Sequence, residues 1–403
     1  MKFLHTADLH IGKRVRGFSL IDEQRHALSQ IVRIAAREKV SAVLVAGDVF
    51  DKPVPPVEAL DLLESFLADL SETGVLCILI AGNHDSADRL AFGARFMDRS
   101  RVHIARPFSS EPQFVDLTSE NERARIHLLP FVRPLHVKLA YPDEAESIAT
   151  YTDALRVAAR HQPLALDAAN ILVAHQFVVD GAEGPETCDS ETVSVGGLDS
   201  VEASAFDAFD YVALGHIHGA QRVRRDAVRY SGSLYPYSFS EAGRKKSCGI
   251  VDIDGGPAAP EGGRFRSYTP VELDEERSLR EVKCSFEELQ AAATNDPHVD
   301  DYLHVTLTDP ALMNAMERVR ALYPHVMQLD FDTRAQKADA PAKRRERLAA
   351  LDPVDLLEDF WRAQTGDDLS SAMRAVAASL FQAEEDKDSA AARGAASHEE
   401  VGA

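Results

Sequence analysis

The sequence predicts an α/β fold in which two sheets pack as a sandwich flanked by helices, followed by a small α/β cap module and a C-terminal helix pair. Two observations lead there. Up to about residue 275, strand-length apolar runs alternate with amphipathic stretches at helical spacing. The links between the later runs vary in length, which suits two packed sheets better than one doubly wound sheet.

Lys2–His5 (KFLH), Ala42–Ala46 (AVLVA) and Val75–Ala81 (VLCILIA) are strand-length and rich in aliphatic residues. Between them, Glu23–Glu38 carries Leu28, Ile31, Val32 and Ile34 at helical spacing, and Glu58–Leu70 carries Leu62, Leu63, Phe66 and Leu67. Further strands are expected at Ile126–Leu129, Ile171–Ala174, Tyr211–Leu214, Val228–Ser231 and Gly249–Ile253, with a turn at Gly255–Gly263 (GGPAAPEGG). The cap module reads as strand Tyr302–Thr308, helix Pro310–Leu322 and strand Val326–Phe331. After the basic run Lys343–Arg347, Asp352 is the expected N-cap of a first helix, with Pro353 at its first position and Gly366 at its stop. A second helix from about Asp368 repeats Leu369, Met373, Val376 and Leu380 on one side. From Glu384 no hydrophobic period remains, so a disordered tail is expected. The chain thus divides into residues 1–275, 276–335, 345–383 and 384–403.

The net charge of −21 excludes a generally basic, counterion-releasing nucleic-acid coat. It leaves room for a nucleic-acid enzyme whose cleft turns positive once metal binds. Cys77, Cys188, Cys248 and Cys284 form no CxxC pair, as expected of reduced thiols in a cytosolic protein. No apolar run reaches the roughly 18 residues that span a bilayer, and nothing resembles a secretion signal. A cytoplasmic protein with no membrane association is expected.

Five clusters carry chemistry, each where an expected strand runs into a loop: Asp8-Leu9-His10, Gly47-Asp48, Gly82-Asn83-His84-Asp85, Ala174-His175 and Gly215-His216-Ile217-His218. Strand alternation should let Asp8 converge with His10, and His216 with His218. Glycines before Asp48, Asn83 and His216 permit close backbone approach. Asp8, His10, Asp48, Asn83, His175, His216 and His218 are too many ligands for one transition ion but suit two, with Asp48 as the natural bridge. Imidazole, carboxylate and carboxamide donors without thiolate favour Mn²⁺, Fe²⁺ or Zn²⁺. Two such cations roughly 3.5–4 Å apart would polarise a phosphate ester and lower the pKa of a shared water. His84 is the candidate general acid, with Asp85 placed to accept its N–H. His5, inside the first strand, reads as a core histidine.

This ordered set resembles the calcineurin-like metallophosphoesterase superfamily, whose pattern is D-x-H, G-D, G-N-H-[DE], H, G-H-x-H. Leu4–Arg14 (LHTADLHIGKR), Gly47–Asp51 (GDVFD), Ala213–His218 (ALGHIH) and Tyr230–Lys246 (YSGSLYPYSFSEAGRKK) are similar, more narrowly, to the SbcD family of nuclease subunits. The resemblance implies a metallophosphoesterase sandwich over 1–275. It implies one Mn²⁺ on Asp8, His10 and His218, another on Asn83, His175 and His216, Asp48 bridging, and His84 catalytic. It further implies 3′→5′ exonuclease action on duplex ends, endonuclease cutting of single strands and hairpins, an SbcC-type ATPase partner, and a homodimer within a heterotetramer. A second histidine found shortly after the G-D motif in some relatives is absent; Asp51 and Lys52 stand there. Lys13, Arg14, Arg16 and Arg89 are candidate phosphate contacts. The C-terminal helix pair, with Leu357, Phe360, Trp361, Met373 and Leu380, has a form suited to docking on the ATPase. Glu58–Leu70 and Arg89–Met97 are the candidate dimer helices. The competing expectation is a dinuclear phosphatase or small-molecule phosphodiesterase. GDVFDKP and GNHD, rather than an Arg after the G-D loop and GNHE, argue against protein monoesters.

Overall fold

In the computed structural model, the described residues are 1–181, 184–191, 198–256, 263–309, 311–332, 354, 357–358, 361–362 and 368–381. Much of the expected turn Gly255–Gly263, the basic run Lys343–Arg347, the caps Asp352, Pro353 and Gly366, Phe360, and the tail from Glu384 lie outside them. The chain forms two compact units, Met1–Phe331 and Asp332–Ala403.

The first unit holds two six-stranded sheets. In one, Lys2–Thr6, Ala42–Ala46, Leu76–Ile80 and Val102–Ile104 run parallel, and Lys246–Ile253 and Phe265–Leu273 extend it antiparallel beside Lys2–Thr6. In the other, Glu122–Leu129, Ala169–His175, Tyr211–Gly215 and Arg225–Tyr230 are parallel, with antiparallel edges Gln113–Ser119 and Gln221–Val223. The metallophosphoesterase-type two-sheet sandwich is therefore present. Gly249–Ile253 belongs to the first sheet, and four strands of these two sheets escaped the sequence reading. Val102–Ile104 and Gln221–Val223 are too short to stand out as runs. Phe265–Leu273 and Gln113–Ser119 are edges with little burial and mostly polar alternation.

Side-chain alternation explains why the sheets pack. Ala42, Leu44 and Ala46 face Ile171, Val173, Tyr211 and Ala213 inside the sandwich, while Val43 and Val45 face the outer helices. Helix Ile21–Glu38 covers that outer face with Ala27, Leu28, Ile31, Ile34 and Ala35, and helix Val57–Glu72 adds Leu62, Leu63, Phe66 and Leu67. Helix Tyr151–Arg160, opened by a Thr150–Asp153 capping box, helps cover the second sheet. His5 is wholly buried; its ring nitrogens meet the Tyr211 hydroxyl at 2.9 Å and the Leu214 carbonyl at 3.1 Å, linking the sheets. Burial lowers its pKa to about 3, so the ring is neutral.

A three-stranded parallel sheet follows: Leu279–Cys284, Tyr302–Leu307 and Val326–Phe331. Helices Phe286–Ala293 and Ala315–Arg320 lie against it through Leu289 and Val319. The first strand and first helix of this module were not foreseen. Among the described residues, no helix is long and apolar enough to cross a membrane.

In the second unit residues 371–381 are helical. Leu357, Trp361, Leu369, Met373, Val376 and Leu380 line an apolar groove of about 580 Å³. Arg362 pairs with Asp368 at 2.6 Å, and Arg374 pairs with Glu358.

Candidate metal centre

Parallel strands in both sheets deliver their C-terminal ends to one place. Asp8 and His10 follow Lys2–Thr6, Asp48 follows Ala42–Ala46, and Asn83 and His84 follow Leu76–Ile80. His175 ends its own strand, and His216 and His218 follow Tyr211–Gly215. Strand alternation is not what makes them converge, because the strands stop first. Asp8, His10, Asp48 and His216 instead take positive φ values of 52°, 43°, 47° and 105°. Each such turn costs on the order of 1–3 kcal/mol and persists only where neighbours enforce it. For Asp8, His10 and Asp48 the enforcement is a backbone ladder: the N–H groups of Asp8, His10 and Ile11 donate to the carbonyls of Gly47, Asp48 and Val49 at 3.1, 2.9 and 2.9 Å, while the Asp8 carboxylate accepts the His216 N–H at 2.9 Å. Two glycines make the approach possible. A Cβ on Gly82 would fall on the Asp48 carboxylate, and one on Gly215 would fall on the Ala46 carbonyl.

All seven sequence-derived ligand candidates come together. His10 Nε2 lies 3.2 Å from His218 Nε2, and Asp8 completes that group. Asn83 Oδ1 lies 2.9 Å from both His175 Nε2 and His216 Nδ1. Between the two groups, Asp48 Oδ2 is 3.6 Å from His10 Nε2 and 3.4 Å from His175 Nε2. Asp8, His10, Asp48, His175, His216 and His218 are buried, whereas Asn83 and His84 are partly open.

The electrostatics suit bound cations. Burial raises the Asp8 carboxyl, and the Asp48 charge adds to that rise. Burial would also raise Asp48, but the imidazoles of His175, His10 and His84 outweigh it and hold that carboxyl down. Burial would lower His175, yet Asp48 lifts it to about 9. Burial lowers His10 and His218, and brings His216 to about 4. His10 Nδ1 and His216 Nε2 are buried without a hydrogen-bond partner. Two neutral imidazoles facing through Nε2, beside two buried carboxylates, concentrate lone pairs with too few protons to share. Cations satisfy such a donor set, so the residues fit a pair of divalent metals.

Comparison with known proteins agrees with this chemistry. Residues 1–220, more than half the chain, match the calcineurin-like phosphoesterases. The chain belongs to that family. Residues 275–365 match the family described as type 5 capsule protein repressor C-terminal domain. Over 378 residues the chain is 29% identical to SbcD, the nuclease subunit of SbcCD, from Staphylococcus epidermidis, spanning 92% of this chain and 95% of that protein. Two solved structures each cover 68% of this chain and 99% of their own at 12% identity: TT1561 of Thermus thermophilus, TM-score 0.38, and a dimetal phosphatase of Danio rerio, TM-score 0.35.

Around the phosphoesterase centre, the expected pairing of His84 with Asp85 is not what forms. His84 Nδ1 donates to the Asp51 carbonyl at 2.9 Å. The Asp85 carboxylate instead accepts backbone N–H groups of Gly82, Val49 and Phe50 at 2.9, 3.0 and 2.9 Å, tying two metal-centre loops together. Three backbone donors already claim both Asp85 oxygens, which leaves the ring to find the carbonyl. Burial and the nearby Asp48 charge raise Asp85 to about 6.

Sequence reasoning missed Gln24 and Tyr237. The Gln24 amide donates to the carbonyls of Leu9 and His10 at 3.2 and 2.7 Å, and its oxygen accepts the Gly12 N–H at 3.0 Å. The Tyr237 hydroxyl donates to the Leu9 carbonyl at 2.5 Å. Gln24 gave no sequence signal, being one polar residue in an amphipathic helix. Tyr237 stood inside the distinctive stretch Tyr230–Lys246. Lys13, Arg14 and Arg16 line a cavity of about 660 Å³ with Tyr237, Phe239 and His304. Arg89 lies apart from them, beside Phe92 and Met97 in a separate apolar cavity.

Proposed function

We propose that this chain is the nuclease subunit of an SbcCD-type complex, hydrolysing DNA phosphodiesters as a 3′→5′ exonuclease on duplex ends and an endonuclease on single strands and hairpins. The observation that carries the reading is Asp48 Oδ2 set between two groups of nitrogen and oxygen donors. The near full-length likeness to the staphylococcal SbcD nuclease supports the substrate class. Asp8, His10 and His218 would hold one ion, Asn83, His175 and His216 the other, with Asp48 shared; Mn²⁺ is the first choice. When bound, the pair supplies Lewis acidity to the phosphoryl oxygens and lowers the pKa of attacking water. The protein's own contribution is proton placement. A carbonyl only accepts, so the proton on His84 Nδ1 stays with Asp51, and only the imidazolium can donate from Nε2 to the leaving oxygen. Lys13, Arg14 and Arg16 line a groove suited to flanking phosphates.

Incubation of the purified protein with Mn²⁺ and end-labelled hairpin DNA, against a panel of phosphomonoesters, tests this. The reading expects cut DNA and little monoester turnover. Brisk monoester hydrolysis with intact DNA, even with an SbcC-type ATPase and ATP, would establish the phosphatase alternative.

The reading also places the protein in the cytoplasm with two protein partners. Phe92, 83% exposed, lines the apolar cavity beside helix Val57–Glu72, and Phe96 and Val57 are 78% and 71% exposed, which supports a homodimer. Phe96→Asp should halve the mass seen by light scattering; an unchanged mass removes that contact. The apolar groove lined by Leu357, Trp361, Met373 and Leu380 supports docking of the ATPase. Trp361→Ala should weaken co-purification with that ATPase about tenfold or more while isolated single-strand cutting persists. Undiminished co-purification argues against docking there.

A further inference from the structure

We propose that Ser190, Glu241 and Lys246 are positioning residues that fix the proton of His218 on Nδ1, so that Nε2 always presents its lone pair beside His10. The inference rests on the reading of His218 as a metal ligand. Ser190 Oγ lies 2.7 Å from His218 Nδ1 and donates to Glu241 Oε1 at 2.7 Å. Glu241 stands 4.0 Å from the imidazole, too far for a direct bond, so the hydroxyl is the bridge. Lys246 Nζ donates to Glu241 Oε2 at 2.5 Å, to the His218 carbonyl at 2.9 Å and to Ser233 Oγ at 2.9 Å. Glu241 is 1% exposed and Lys246 5%.

Proton accounting gives the direction. Glu241 accepts from Lys246, Ser190, Ser238 and the Tyr237 N–H, so both its oxygens serve as acceptors and neither holds a proton. The single Ser190 proton therefore points at Glu241, and the Ser190 oxygen can only accept from His218. That puts hydrogen on Nδ1 and leaves Nε2 free. Cys188 Sγ, 3.1 Å from Ser190 Oγ, is compatible as a weak donor to the remaining lone pair. The backbone is clamped as well, since Glu191 Oε1 accepts the His218 N–H at 2.6 Å. A histidine beyond the end of its strand thus gains a defined tautomer from Ser190, Glu241 and Lys246, all distant in sequence. Carboxylates that hold metal-binding histidines act in the same way, here with a hydroxyl interposed.

Ser190→Ala and Ser190→Thr in the full chain test this without substrate. Mn²⁺ is titrated alone, with free Mn²⁺ read by electron paramagnetic resonance, and long-range ¹H–¹⁵N spectra report the His218 tautomer in metal-free protein. Ser190→Ala should weaken one of the two ions about 10–100-fold, leave the other within about twofold, and mix the His218 tautomers. Ser190→Thr should restore both readouts. Unchanged affinity for both ions in Ser190→Ala, equal weakening of both, or an Nε2–H ring in the parent protein overturns the proposal. A parent protein that binds fewer than two ions removes the metal assignment itself, and the proposal falls with it.

Discussion

Asp48→Asn should abolish tight binding of both Mn²⁺ ions and reduce DNA cleavage by about 10⁴-fold or more, some 5.5 kcal/mol at about 1.36 kcal/mol per decade. The substitution nearly preserves shape, so the loss reports charge. Asp48 Oδ2 faces ring nitrogens of both donor groups, and a carboxamide offers there either a neutral oxygen or an NH₂ that repels cations. Asp48 Oδ1 accepts the His84 N–H at 2.8 Å, a role that the amide oxygen can keep, so the loop should stay in place. A proton signature accompanies the effect. In the metal-free protein Asp48 holds the His175 imidazolium up to about 9, whereas a histidine must be neutral to ligate. Mn²⁺ binding should therefore release a proton near neutral pH, and apparent affinity should rise as pH climbs toward 9. Calorimetry in buffers of different ionisation enthalpy measures the release. If Asp48→Asn still binds two ions tightly, the shared-carboxylate assignment is wrong.

How far the sequence could be read depended on how local the physics was. The inner strands Ala42–Ala46 and Ala169–His175 are apolar on both faces, so their runs stood out. The seven ligand candidates were legible because each follows such a run directly. What converges them was not. Positive φ at Asp8, His10 and Asp48 is held by a ladder between segments some forty residues apart, and at His216 by the Asp8 carboxylate accepting its N–H; aspartate and histidine tolerate that conformation better than most residues, but nothing local says which of them adopts it. Asp85 shows the same limit. Adjacency suggested a bond to His84, but the carboxylate met three backbone donors from two loops instead. The stretch Tyr230–Lys246 was distinctive as a string, and its purpose emerged only in three dimensions. Tyr237 latches the Leu9 carbonyl, while Glu241 and Lys246 reach His218.

His84→Gln should lower kcat on DNA by about 10²–10⁴-fold while both Mn²⁺ ions remain and KM stays nearly constant. The His84 ring packs edge-on against His10 at 4.8 Å and belongs to a possible donor group with His10 and Asp48, so a ligand role is the alternative to exclude. Its Nδ1–H is committed to Asp51, which leaves Nε2 to face either a metal or the reacting phosphate. The substitution separates these. Glutamine is a poor substitute for an imidazole ligand and cannot shuttle a proton at all. If His84 is the acid, elemental analysis of the variant finds two Mn²⁺ per chain. If His84 is a ligand, metal content drops with activity. The fixed Nδ1–H also predicts that substrates with a better leaving oxygen, such as aryl phosphodiesters, lose far less rate than DNA in this variant, because their leaving group needs little help from a proton.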